Sequence, residues 1–401
     1  MSGTALTGPL LDEWLAAREE ELVAFRRHLH TYPERSGEEH ATTHLIAERL
    51  RTAGLRARVL SSGTGLVCDI GEGPRVALRA DIDALAMQDA KDVSYRSQHP
   101  GVAHACGHDV HATVTLGAGL YLAQHWPDET EGLRLIFQPA EERLPGGALD
   151  VIADGGLASV ERLFGLHCDP KLGVGQVGLR VGPITSAADM ATIELLGPGG
   201  HTARPERTVD MVALAARVVL ELPDRVRRRL GPEAPIRVVF GALHTGDAAN
   251  VIPAHAELRA SIRTPLVGLW DALPATVEAE LRALVESAGA SCALTYTRGV
   301  PPVTNDAAAI EEVRQGVTRV LGQEAITGAV QSWGGDDFAW YTQRVASAYI
   351  RLGTHDPTGE GPQLDLHAGQ FDVDERAIGV GVRVLVAAVE QHLAARRSRR
   401  S

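Results

Sequence analysis

Within eight residues, His104-Ala105-Cys106-Gly107-His108-Asp109-Val110-His111, the chain gathers three imidazoles, a thiol and a carboxylate. A thiolate and an imidazole two residues apart can both reach one cation from a loop, and each suits a borderline-soft divalent ion. Gly107 between them gives the backbone freedom to wrap a small object. The same residues admit two other readings. One is a cysteine nucleophile paired with His108; the other is a buried cysteine beside surface histidines.

Donors elsewhere in the chain bear on the choice, because ligand-type residues recur where short apolar runs end. Residues 75–80 read as a strand that delivers Asp81 and Asp83. Their alternate spacing puts both carboxylates on one side, at the place where α/β sheets bind ligands, although an Asp-x-Asp in a turn also serves as a local cap. Residues 133–137 form a strand running into Gln138-Pro139-Ala140-Glu141-Glu142, and the strand at 162–166 ends at His167. His367 follows a strand at 347–352 and precedes a helix at 375–395. Cys106, His108, Glu142, His167 and His367 are more donors than one tetrahedral zinc needs, and two ions sharing ligands and solvent would use them all. Glu141 is then the neighbouring carboxylate left to act as base.

The elements that must position these groups follow from periodicity. Helices are predicted at 11–29, before Pro33, at 40–53, closed by Gly54, and at 112–124; a further strand is predicted at 65–70. From Ser186 the order changes: strand 187–196, helix 208–229, strands 236–244 and 255–263, helix 268–288, strand 291–298. That β-α-β-β-α-β order is the split βαβ arrangement of a ferredoxin-like domain. A helix at 307–321 then restores α/β character. The fold class is therefore α/β. A catalytic α/β domain with a mixed sheet and the two-metal site, at 1–185 and 302–401, is interrupted by a ferredoxin-like α+β domain at 186–301, with Pro183, Pro301 and Pro302 as hinges.

Length agrees, since 401 residues exceed the usual size of one core. With 39 basic against 51 acidic residues, net −12, there is no electrostatic footprint for nucleic acid or an anionic membrane. No apolar run stands out as long enough to span a bilayer. The four cysteines are far apart and form no CxxC pair, and the N-terminus lacks a basic segment followed by an apolar core, so a cytoplasmic location is expected.

Taken together, His104-Ala105-Cys106-Gly107-His108-Asp109, Gln138-Pro139-Ala140-Glu141-Glu142, Phe164-Gly165-Leu166-His167, Gly199-Gly200-His201-Thr202, Asn250-Val251-Ile252-Pro253 and Gly334-Gly335-Asp336-Asp337-Phe338 resemble the amidohydrolase branch of the metallo-aminoacylase and carboxypeptidase family. That branch includes N-acyl-amino-acid amidohydrolases, hippurate hydrolases and hydrolases of auxin conjugates. The resemblance implies two divalent ions per subunit, zinc or manganese foremost with cobalt and nickel also accommodated, and an inserted domain that closes over a small acyl-amino-acid substrate and pairs subunits into a homodimer. It implies metal binding by Cys106, His108, Glu142, His167 and His367, and general acid/base duty for Glu141. Oxyanion stabilisation falls to His201, in the same or the partner subunit. Asn250, Arg263, Gly334 and Gly335 are implied in substrate binding, and Asp81, Asp83 and Asp109 in orienting the ligands. Related branches act on free dipeptides, on carboxy-terminal residues or on N-acetyl-diaminopimelate-type substrates, and a non-catalytic metal-binding scaffold would keep the same fold. Ala86, Met87 and Val110 depart from the branch's usual residues, which bears on the substrate pocket rather than the chemistry.

Overall fold

The computed structural model describes residues 6–127, 130–359 and 364–400. The chain forms two compact units, one of Met1–Ile184, Thr304–Val330 and Asp337–Ser401, the other of Thr185–Val303 and Gln331–Asp336.

The first unit is built on an eight-stranded mixed sheet. In spatial order its strands are Ala57–Val59, Leu66–Ile70, Leu133–Gln138, Val76–Asp81, Arg162–Gly173, Ala346–His355, Val177–Leu179 and Ile326–Gly328. The four strands from Leu133–Gln138 to Ala346–His355 are parallel to one another, so their carboxyl ends share one edge. Helices cover such a sheet on both faces, which is why Leu133–Gln138 and Val76–Asp81 are buried at every position rather than at alternate ones. His167 lies in the middle of a twelve-residue strand, not at the end of a short one as the apolar run 162–166 suggested.

Two helices differ from their sequence-based limits. The helix expected at 11–29 is two, Pro9–Ala16 and Glu19–Thr31. Glu19, Glu20 and Glu21 fall in the first turn of the second, where the positive end of a helix dipole favours them. The helix expected at 112–124 begins earlier, at His108, capped by Gly107 in the left-handed region at φ 87°. A Cβ on Gly107 would come within 2.8 Å of the Cys168 sulfur, so the close approach requires glycine. The closing helix is long and apolar enough over Arg376–Ser398 to cross a membrane, contrary to the reading of the sequence; 72% of that apolar stretch is buried inside the protein, as befits a core helix.

In the second unit, strands Arg237–His244, Ala188–Leu196, His255–Arg263 and Ser291–Val300 form an antiparallel sheet, with His255–Arg263 and Ala188–Leu196 at its centre. Asp189, Ala191, Ile193 and Leu195 are buried in alternation along one strand, the period-two pattern of a sheet with one covered face. Helices Met211–Leu230 and Val267–Glu286 supply the cover. This is the ferredoxin-like arrangement. Gln331–Asp336 also belongs here, although the sequence placed it in the second catalytic segment. Its tie is polar: Ser186 donates from N to the Gly334 carbonyl at 2.9 Å and from Oγ to the Trp333 carbonyl at 2.7 Å, and Arg237 stacks on the Trp333 ring.

In the first unit, helices Ala307–Leu321 and Arg376–Arg400 meet at Gly316, where an added Cβ would lie 3.0 Å from the Ala387 carbonyl carbon. Backbone cannot yield as a side chain can. Gly316→Val is expected to lower unfolding free energy by about 1–3 kcal/mol, read by urea denaturation. A neutral result would mean the helices do not meet there.

Candidate metal centre

The sheet edge brings five sequence-separated donors together. Cys106, His108 and His167 each offer a donor atom within 4.8 Å of the others, and Cys106, Glu142 and His367 do the same. Cys106 is common to both groups, which is the form of a two-ion site with a shared ligand. Glu141 joins His108 and Glu142 in a third overlapping group.

The imidazoles of His108 and His167 are turned so that one nitrogen is spent on protein and the other faces the cluster. His108 donates from Nδ1 to the Asp83 carbonyl at 2.9 Å, with Asp83 Oδ1 at 3.2 Å. Its Nε2 is buried and has no hydrogen-bond partner, and it lies 3.8 Å from Glu142 Oε1 and 3.9 Å from Glu141 Oε2. His167 donates from Nδ1 to the Cys168 carbonyl at 2.7 Å, leaving Nε2 at 3.4 Å from Cys106 Sγ. His367 Nε2 is 3.4 Å from Glu142 Oε1, which is likewise buried without a hydrogen bond. Orphaned buried nitrogen and oxygen atoms aimed at one space are what a cation would satisfy. The donor set of thiolate, imidazoles and carboxylate fits a borderline-soft divalent ion.

His111 is a different case. It shares a group with Asp81 and His108, but Nδ1 bonds Asp81 Oδ1 at 2.6 Å and Nε2 accepts from the Cys168 amide at 2.8 Å, so both nitrogens are committed. Asp81 thus anchors His111 rather than a candidate ligand, whereas Asp83 does hold one. Asp109 faces away, bonded to Arg26 Nε and His30 Nδ1, each at 2.7 Å.

Electrostatics agree with a pocket shaped for positive charge. Burial disfavours a charged His108, yet Asp81, Cys106 and Asp83 outweigh it and push its pKa well above the usual histidine range. Burial likewise opposes an ionised Asp81, but His108, Arg79 and His111 hold its pKa well below that of an ordinary carboxylate. Burial, then Glu142, pushes the Cys106 thiol well up, so without a cation it is a poor nucleophile. Burial, then His111 and Arg351, keeps His167 neutral, the form that ligates metal.

Of the three described non-glycine residues in the left-handed region, Ala140, Ser159 and His367, two lie in loops that serve the cluster. Ala140, at φ 54°, precedes Glu141 and Glu142; its amide donates to Glu39 Oε1 at 2.8 Å. His367, at φ 61°, donates its amide to the Ala105 carbonyl at 2.8 Å. Such strain persists only where surroundings enforce it.

The remaining expected residues lie in the second unit. His201 is exposed on a two-residue strand paired with Val251–Ile252, and its Nδ1 accepts from the Ala203 amide at 3.0 Å, which leaves the neutral ring's proton on Nε2. Asn250 is exposed. Arg263 is committed through Nη1 to the Trp333 carbonyl at 2.7 Å and through Nε to Ser261 at 3.2 Å. Gly335 is required by packing within its own unit, since a Cβ would meet Ala188 at 2.9 Å and Val300 at 3.0 Å.

Sequence reasoning assigned no role to Arg79, Gln138 or Asp337, which support the cluster from below. Arg79 bonds Asp81, donates to Gln138 Oε1 at 2.8 Å and to Asp337 Oδ1 at 3.0 Å, all buried. The available signal was an arginine inside an otherwise apolar strand, since a buried charge needs partners.

The profile of peptidase family M20/M25/M40 matches residues 77–391. A Rhodococcus jostii protein bearing the name of a glutamate–cysteine ligase is 42% identical over 92% of this chain, which spans only 46% of that protein. An N-acetyl-L-cysteine deacetylase of Bacillus subtilis is 35% identical over 91% of this chain and 86% of its own. Among solved structures, the Bacillus subtilis YxeP protein, described as a dinuclear metal binding peptidase, superposes with a TM-score of 0.83 at 29% identity, covering 94% of this chain and 99% of that one.

Asp81 also sets an acid limit on stability. Its folded pKa is depressed, so its contribution is fully present above the unfolded value of about 3.9 and is lost as pH falls through the folded value. Asp81→Asn, which leaves Arg79 without that anion, is expected to cost about 3–5 kcal/mol at pH 7. The gap from wild type should not shrink between pH 7 and about pH 4, because Asp81 also favours charged His108, and should close only below. Denaturant titrations between pH 3 and 7 measure it; a gap that closes between pH 7 and 5 contradicts the assignment.

Proposed function

Because this chain belongs to peptidase family M20/M25/M40, a family of hydrolases, we propose that it is a two-metal amidohydrolase cleaving the amide bond between an acyl group and an amino acid. The observation that carries this reading is the pair of donor groups sharing Cys106, with Glu141 beside them. The deacetylase relative and the dinuclear peptidase neighbour support the same substrate class and metal number.

Divalent ions held by Cys106, His108, Glu142, His167 and His367 would polarise the scissile carbonyl and make water ionisable near neutral pH. Glu141 takes the proton of the attacking water as the new C–O bond forms, and returns it to the departing nitrogen as the C–N bond breaks. His201, with its neutral ring protonated on Nε2 by the hydrogen bond at Nδ1, is a donor for the oxyanion of the tetrahedral species. Asn250 and the uncommitted Nη2 of Arg263 serve the substrate carboxylate. Asp83 fixes the ring of His108 so that Nε2 faces the site.

We also propose a cytoplasmic homodimer paired through the second unit. Arg237–His244 is an edge strand there with Val239 and Leu243 exposed, and an open apolar edge is a template for pairing with a second copy. Sedimentation analysis reads the mass directly.

Glu141→Gln is expected to retain both ions by elemental analysis while losing about 10²–10⁴-fold in kcat. Chelation should abolish activity and re-addition of zinc or manganese restore it, with alkylation of the metal-loaded enzyme having little effect. Undiminished turnover by Glu141→Gln would remove the proposed mechanism.

A further inference from the structure

Five arginines are buried among the described residues, and four of them hold a carboxylate: Arg26 with Asp109, Arg79 with Asp81, Arg134 with Asp69 and Arg162 with Glu312. The fifth, Arg351, is only 9% exposed and has no such partner among the described residues. It stacks instead towards a ring, the guanidinium carbon lying 5.6 Å from the centroid of Tyr349. One ring contact at that distance leaves the donors of the guanidinium unspent.

Its place in the sheet gives this charge a meaning. Arg351 pairs in register with His167 across the parallel strands, and residues paired in this way leave the sheet on the same face. The Arg351 side chain therefore leaves the sheet about one strand spacing, ~5 Å, from that of His167, a donor of the cluster, on the sheet whose parallel strands receive ligands at their carboxyl ends. On its other side Arg351 pairs with Gly178, where a Cβ would press to 3.0 Å on the Arg351 Cβ; the glycine keeps that flank open. A planar fork of donors, uncommitted among the described residues and beside the donor cluster, is shaped for two-point recognition of a carboxylate.

We propose that Arg351 forms a carboxylate-binding subsite of the catalytic unit, pairing with an anionic group of the bound substrate. The proposal rests on the amidohydrolase reading above. Two sources share the chemistry, the α-carboxylate of the amino acid and a carboxylate at the far end of a dicarboxylic acyl group.

Metal-reconstituted wild type, Arg351→Met and Arg351→Lys are compared on an N-acetyl amino acid, its N-succinyl counterpart and the N-acetyl amino acid amide. Arg351→Met should raise KM about 10–100-fold with kcat little changed, and only for substrates carrying the recognised carboxylate. A rise confined to the succinyl substrate assigns the acyl end; a rise for both acids with none for the amide assigns the α-carboxylate. Arg351→Lys, which keeps charge without the fork, should fall between. Unchanged KM throughout, or equal losses on all three substrates including the amide, overturns the proposal. If wild type hydrolyses none of the three, it is the amidohydrolase reading that fails. Calorimetric titration of succinate into the metal-loaded proteins then decides the subsite, with at least about tenfold weaker binding to Arg351→Met expected and equal affinity refuting it.

Discussion

Arg79 leaves the Val76–Asp81 strand with almost no exposed surface and commits its guanidinium to Asp81, Gln138 and Asp337. Each partner governs something above it. Asp81 holds His111, whose other nitrogen accepts the Cys168 amide next to His167. Gln138 ends the strand that leads into Glu141 and Glu142, and its amide donates to both oxygens of Asp337 at 2.8 and 2.7 Å. Burying two carboxylates this close is unfavourable without a shared cation, and a bidentate fork between them turns repulsion into a frame. The cluster of donors can therefore sit at a dry sheet edge in a fixed geometry, its ligands oriented before any ion arrives.

Much of this was legible in the sequence where chemistry and local pattern coincide. Cys106, His108, Glu142, His167 and His367 are of types that ligate metals and follow apolar runs, and the structure gathers them at one edge. The split βαβ order of the second unit was readable because each strand alternates and each helix is amphipathic over its whole length. The short edge strands Ala57–Val59, Val177–Leu179 and Ile326–Gly328 were not, because three residues carry too little periodicity to register. Nor was the transfer of Gln331–Asp336 to the second unit, which depends on hydrogen bonds from Ser186 and Arg263, far away in sequence.

The supporting charges were hidden for a related reason. A lone Asp81 or Arg79 has several readings, and only the fold shows that one restrains His111 while the other reaches Asp337, 258 positions away in sequence. His104, in the densest stretch of donors, illustrates the converse. Both of its ring nitrogens are buried without partners, and burial pushes its pKa down to about 3, so it stays neutral among its neighbours. Density of ligand-type residues located the site but did not say which of them belonged to it.

Glu141 and Glu142 show how adjacent carboxylates come to be held differently. The left-handed turn at Ala140 starts the segment, and the Glu142 amide donates to Asp83 Oδ2 at 2.9 Å, the same aspartate that orients His108. Glu142 is thereby tied to the ligand side of the cluster, with its Oε1 facing His108 and His367. Glu141 instead accepts the Asp337 amide at 3.4 Å through Oε1, while Oε2 stays within 3.9 Å of His108 Nε2. Asp337 is itself placed by Arg79, so the position of Glu141 and the orientation of His111 are both tied to one buried guanidinium.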